Sequence, residues 1–189
     1  MKVRKFGQPR KSVAFTLIEM IGVLAVIAIL AALLIPKIFE AINNARISNA
    51  LVSYNTVKTA CMDHYAKYGG INSTTNGATL TVPINNYDNL LLSESFLDKP
   101  FLVKVGTNSF IRVVAANTSP YDLDGDGVMD TANGTYVVEA IIQGVPAGDA
   151  KDINDRLDGA TGAFLWANPD TTGRVRYDGT NVNIYITHR

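Results

Sequence analysis

The sequence predicts an α+β protein in which one long N-terminal helix packs on a small antiparallel β-sheet. Three observations support this fold class. Residues 15–35 form an apolar run of helical length, residues 36–68 continue the helical periodicity, and short strand patterns separated by turn residues follow. A length of 189 residues suits one domain with attachments.

The chain begins with a basic segment, residues 1–14, which is predicted to be a leader that is removed. It contains no acidic residue and five basic ones, which are Lys2, Arg4, Lys5, Arg10 and Lys11. Without them, 12 of the 17 basic residues remain against 17 acidic ones, a net charge of −5. A negative net charge opposes a broad nucleic-acid-binding surface, so nucleic acid is not an expected partner.

Residues 15–35 are predicted to be a membrane-spanning helix with a single charge, Glu19. The 21 residues are enough to cross a hydrocarbon core of about 30 Å. The run is too long for an ordinary secretory signal and is not closely followed by a small-residue cleavage site. The basic segment places residues after Ile35 outside the cytoplasm. Because an unpaired carboxylate in a span is costly, Glu19 is predicted to have a functional partner.

Residues 36–68 are predicted to be the amphipathic second half of the same helix. The whole helix, from Phe15 to Tyr68, would be about 80 Å long. Apolar residues recur at spacings of three and four, and Gly69-Gly70 marks the end. Cys61 is predicted to lie in the core, and His64 to be at the surface or half-buried.

Residues 69–189 are predicted to form a globular head with the antiparallel sheet. A loop is expected over 69–89 and short helices over 89–96 and 146–159, the second capped by Asp149. Strands are expected over 101–105, 110–115, 136–142, 174–177 and 181–186, with Asp178-Gly179 in the turn between the last two.

The segment Ala14-Phe15-Thr16-Leu17-Ile18-Glu19 resembles the processing site of type IV pilins and of type II secretion system pseudopilins. The resemblance implies the pilin fold. It also implies that a prepilin peptidase cuts between Ala14 and Phe15 and that Phe15 becomes a methylated N-terminus. The residue before the cut is usually glycine in this family, so Ala14 is a departure from the pattern.

The same resemblance implies a structural, non-enzymatic subunit of a type IV pilus-like or pseudopilus filament. The subunit would reside in the inner membrane as a single-pass protein and then enter a periplasmic or extracellular filament. An inner-membrane assembly platform and an ATPase would drive polymerisation, and Glu19 would pair with the Phe15 amine of a neighbouring subunit. The sequence contains no G-x-S-x-G or P-loop motif that would favour catalysis.

The loop Asp122-Leu123-Asp124-Gly125-Asp126-Gly127-Val128-Met129-Asp130 predicts a structural calcium site. Asp122, Asp124 and Asp126 match the first, third and fifth positions of a calcium-binding loop, and Gly127 matches the glycine at its sixth position. Val128 would offer its carbonyl, and Asp130 stands at the ninth position of that loop. Asn133 replaces the usual Glu at the twelfth. An Asx-turn loop without metal is the alternative. Because a single cysteine excludes an internal disulfide, calcium would stabilise the loop in its place.

Three alternatives stay open for the whole chain. The first is an uncleaved signal anchor, and the second is a minor pilin that binds DNA or a surface. The third is a membrane-anchored calcium-binding or enzymatic domain that never polymerises. A basic cluster that DNA or a neighbouring subunit could contact consists of Arg174, Arg176, His188 and Arg189.

Overall fold

The computed structural model describes residues 15–131, 136–159 and 172–189. Three helices and five strands occur in these ranges, and the predicted fold class of one long helix with a small antiparallel sheet is confirmed. The predicted leader, residues 1–14, lies outside the described residues. The elements are α1 (Leu17–Tyr68), β1 (Ile84–Asn85), α2 (Tyr87–Ser93), β2 (Asn108–Ala115), β3 (Tyr136–Gln143), α3 (Ala147–Leu157), β4 (Val175–Tyr177) and β5 (Val182–His188).

The chain divides into two compact units after Ile42. The described part of the first unit, residues 15–42, is helical from Leu17 onward and contains no buried residue. The helix continues through Pro36 without interruption, so the predicted boundary between residues 35 and 36 falls inside one element.

The second unit has its own core, to which the C-terminal part of α1 contributes one face. The buried positions recur every three or four residues, with the adjacent pair Ala60 and Cys61 as one exception, as expected of a helix packed on one side: Ile47, Ala50, Tyr54, Val57, Ala60, Cys61 and His64. The Tyr54 hydroxyl also donates a hydrogen bond of 2.6 Å to the Tyr185 carbonyl in β5. The predicted core position of Cys61 is confirmed, and burial raises the pKa of its thiol.

The five strands form one antiparallel sheet in the order β1-β2-β3-β5-β4. The central pair runs from Asn108 opposite Gln143 to Ala115 opposite Tyr136. Successive side chains of a strand point to opposite faces. Accordingly, Val138 belongs to the main core, whereas Val137 belongs to a second cluster with Val114, Ala116 and Tyr121. The connection that follows β2 therefore covers part of one sheet face.

Four of the five predicted strands are present with shifted ends, whereas the strand predicted over 101–105 is wrong. Phe101, Val103 and Val105 are buried in alternation, which is the pattern that suggested a strand. Two of their amides bond to side chains instead of a neighbouring strand. Phe101 N–H donates to Asp88 at 3.0 Å, and Val103 N–H donates to Ser109 at 3.0 Å. The predicted loop over 69–89 contains β1, which pairs with β2.

Both short helices are present, but the predicted cap of the second is wrong. The N-cap of α3 is Pro146, which makes no side-chain capping bond. The Asp149 carboxylate instead accepts a 2.7 Å hydrogen bond from the side-chain amide of Asn43 in α1. Arg156 donates to Asn44 and to Ser48, both at 2.8 Å. The polar side chains of α3 thus attach it to α1.

The predicted surface or half-buried position of His64 is wrong, because the side chain is fully buried. Its Nδ1 lies 3.0 Å from the Tyr87 hydroxyl, and its Nε2 lies 3.2 Å from a Glu94 carboxylate oxygen. Burial lowers the pKa of His64, although the neighbouring Glu94 opposes that shift. The helix α2 and the residue after it supply these partners, and no sequence pattern near His64 predicts them.

Candidate functional site: the N-terminal helix and the acidic loop

Glu19 lies in the first turn of α1, where it forms a reciprocal contact with Thr16. One Glu19 carboxylate oxygen accepts hydrogen bonds from the Thr16 backbone N–H at 2.8 Å and from the Thr16 hydroxyl at 2.7 Å. The Thr16 hydroxyl oxygen in turn accepts from the Glu19 N–H at 3.3 Å. This T-x-x-E arrangement is a capping box, which stabilises a helix start. This second role of Glu19 was not predicted, although the spacing of the two residues is the sequence signal of a capping box.

The first unit presents a long apolar surface. Phe15 is 82% exposed, and the large apolar side chains from Leu17 to Ile42 are also exposed. By length and composition, α1 can cross a membrane. An exposed apolar surface of this extent indicates contact with a membrane or with another protein. The only charge before Pro36 in the described residues is Glu19.

The acidic loop brings three of the predicted ligands together. Asp122, Asp124 and Asp130 each place one carboxylate oxygen within 4.8 Å of the other two. Asp126 is not in this group; its carboxylate accepts a hydrogen bond of 2.7 Å from the Val128 N–H. The predicted twelfth position, Asn133, lies outside the described residues. Three converging carboxylates suit a hard cation such as calcium, which takes six to eight oxygens, and carbonyls such as that of Val128 and water would have to supply the rest.

The buried residue Asp122 fixes the backbone of the loop. Its two carboxylate oxygens accept hydrogen bonds from Gly125 N–H at 2.7 Å and Gly127 N–H at 3.0 Å. Both glycines have positive φ angles, 79° and 88°, which other residues rarely adopt. The Asp122 carbonyl accepts from Gly173 N–H at 2.7 Å, so the loop is also attached to the segment before β4. The loop bend therefore depends on glycines at these two positions.

A buried charged network attaches the start of the loop to the sheet. Glu139 in β3 is fully buried and forms an ion pair with Arg112 in β2. Its other carboxylate oxygen accepts from Tyr121 at 2.8 Å and from Ser119 at 3.0 Å. Burial, and secondarily the Glu139 carboxylate, raises the pKa of Tyr121, which keeps that hydroxyl a donor. The role of Glu139 was not predicted from the sequence, where the only local signal is one acidic residue within an apolar strand.

Other bonds hold the two ends of the acidic loop together. The Thr131 hydroxyl oxygen accepts a hydrogen bond of 2.7 Å from the Tyr121 N–H. Arg176 in β4 donates to Ser119 at 3.2 Å and to the Pro120 carbonyl at 3.1 Å. Its guanidinium also lies 5.0 Å from the centre of the Tyr121 ring. The acidic loop is thus positioned by residues from β2, β3 and β4.

The predicted basic cluster near the C-terminus is largely engaged in contacts within the chain. Arg176 binds the loop as described, and the Arg189 guanidinium lies 4.5 Å from the centre of the Tyr65 ring in α1. His188 contacts the Tyr185 hydroxyl through Nδ1. These contacts favour a packing role for the cluster over a nucleic-acid-binding one.

No protein-family model matches the chain, and no curated protein matches it. Among solved structures, the chain is similar to the major type IV pilin PilA1 from Clostridium difficile. The two share 17% sequence identity with a TM-score of 0.42, and the similarity covers 77% of this chain and 97% of the pilin.

Proposed function

We propose that this chain is a structural, non-catalytic subunit of a type IV pilus-like or type II secretion pseudopilus filament. The main support for this proposal is the exposed apolar helical surface over residues 17–42, in which Glu19 is the one acidic residue before Pro36. The subunit is stored in the inner membrane with its C-terminal domain outside the cytoplasm. It then polymerises by burying that surface against copies of itself, driven by the assembly platform and ATPase.

Processing at the N-terminus is the first step of the proposed function. A prepilin peptidase removes residues 1–14 between Ala14 and Phe15, and the new Phe15 amine is methylated. The apolar helix stays in the mature protein, in contrast to a secretory signal, which is discarded. The sequence of residues 14–19 supports this step.

Glu19 is proposed to pair with the Phe15 amine of a neighbouring subunit. The carboxylate lies at the first turn of α1, four residues from Phe15, so both charges occupy the same end of the helix. A desolvated charge is tolerable only when its partner is present. Such pairing would penalise a wrong axial register between neighbouring helices.

The intact mass of the protein purified from membranes tests the processing step. We expect a mass that begins at a methylated Phe15. A mass that retains residues 1–14 would contradict the proposal and turn the apolar helix into an ordinary anchor. The function would then have to be sought in the head.

We also propose that the acidic loop binds one structural calcium ion through Asp122, Asp124 and Asp130, with Val128 offering its carbonyl. The convergence of three carboxylate oxygens within 4.8 Å supports this proposal. When bound, calcium would neutralise the mutual repulsion of these groups.

Calcium is expected to raise the melting temperature of the detergent-solubilised chain. A ligand at one hundred times its Kd stabilises the folded state by about 2.7 kcal/mol. Asp130→Asn should abolish this rise, whereas Asp126→Asn, outside the group of three, should reduce it less. Equal melting temperatures in calcium and in excess chelator would refute the site.

A further inference from the structure

A groove runs along one side of α1 in the second unit, between the helix and residues 96–104. One part is a cavity of about 380 Å³ that lies between Ser53 to Val57 and Phe96 to Phe101. A second part, of about 160 Å³, shares Ser53 and extends to Arg46 and Lys104. We call the two parts together the lateral groove. Its lining includes apolar side chains, among them Leu102, which is 72% exposed.

The lining of the lateral groove carries more positive than negative charge. Arg46, Lys99 and Lys104 are exposed there against one acidic residue, Asp98. Within the residues that the structure describes, these three cations make no hydrogen bond or ion pair. Unpaired cations around an apolar floor suit a partner that combines an apolar contact with carboxylates.

The acidic loop of the same chain has that composition. Asp124, Asp126 and Asp130 are exposed, and Val128 between them is 65% exposed. The sequence contains no basic residue between Arg112 and Lys151. With one bound calcium, the four aspartates of the loop would still carry a net charge of −2, so the sign of the loop does not depend on the metal.

We propose that the lateral groove of one subunit receives the acidic loop of a second copy of this chain. Val128 packs on the apolar floor, and the aspartates face Arg46, Lys99 and Lys104. The proposal rests on the proposed self-assembly. It adds a contact between the C-terminal units of two subunits to the contacts that their apolar helices would make. Because groove and loop are different surfaces of one chain, each contact leaves a free groove and a free loop. Such head-to-tail contacts propagate into an open polymer unless the rotation closes a ring.

Disulfide cross-linking of the subunits in assembled filaments tests this contact. The one native cysteine, Cys61, is buried, so the background should be low. A chain that carries Lys99→Cys with Asp126→Cys, or Lys104→Cys with Asp126→Cys, should give a ladder of multimers on oxidation. The corresponding single variants are the controls and should give no ladder. Filaments in which neither pair produces a ladder would overturn the proposal.

Charge reversal gives an independent readout. Lys99→Glu with Lys104→Glu should lower the assembled fraction roughly tenfold at low salt, and adding Asp126→Lys in the same chain should partly restore it. An assembled fraction unchanged by reversal would overturn the groove contact and leave the filament function standing. If the unaltered chain never sediments as a filament, the proposed function itself fails.

Discussion

Glu19→Gln is expected to prevent filament assembly as fully as Glu19→Ala. Glutamine can replace glutamate in a capping box, so the contacts with Thr16 can persist. It cannot form an ion pair with the Phe15 amine of a neighbour. Removing one partner of a desolvated pair leaves the other charge uncompensated, which strongly disfavours the assembled state. The measurement is the fraction of subunit that sediments as sheared filaments.

The comparison of the two variants separates the two roles of Glu19. Both should show normal amounts of processed protein in the membrane, which controls for synthesis and insertion. If Glu19→Gln assembled normally while Glu19→Ala did not, the capping box would explain the requirement and the pairing hypothesis would be wrong. Normal assembly of both variants would exclude either role.

The long helix was predictable because its signal is local. An apolar run followed by a stripe at helical spacing predicts 54 residues of helix from 15 to 68, and α1 spans Leu17–Tyr68. The wrong strand over 101–105 shows the limit of such patterns. Alternate burial there arises without a strand partner, because Asp88 and Ser109 accept or donate the hydrogen bonds that a neighbouring strand would otherwise make. Periodicity reports which side chains are buried, but it does not identify the partner of each amide.

The candidate sites divide in the same way. The aspartates of the acidic loop are close in sequence, and the structure gathers Asp122, Asp124 and Asp130 as their spacing suggested. Glu139 was not predictable as the anchor of that loop. Its partners Arg112 and Tyr121 are 27 and 18 residues away. The pairing of β2 with β3 brings Arg112 to Glu139, and the connection that follows β2 brings Tyr121 there. His64 was misjudged for the same reason, since Tyr87 and Glu94 reach it from another element.

Breaking the buried ion pair between Arg112 and Glu139 is expected to lower the stability of the head substantially. Arg112→Met should destabilise the head by about 3 kcal/mol, because it leaves a fully buried carboxylate without its cation. We expect the lower end of the range for such pairs, since Tyr121 and Ser119 still donate to Glu139. For a chain of this size, the melting temperature should fall by about 6–12 °C. Thermal unfolding of the full-length protein in detergent measures it.

A double variant and a milder single variant make this prediction specific. Arg112→Met combined with Glu139→Leu should unfold at a higher temperature than Arg112→Met alone, because no unpaired charge remains in the sheet. Tyr121→Phe keeps the ring under Arg176 and removes one hydrogen bond to the carboxylate, so it should cost about 1–3 kcal/mol. If the double variant were instead clearly less stable than Arg112→Met alone, the unpaired charge on Glu139 would not explain the destabilisation by Arg112→Met. The loss would then come from side-chain packing, and the network would have no special part in holding the acidic loop.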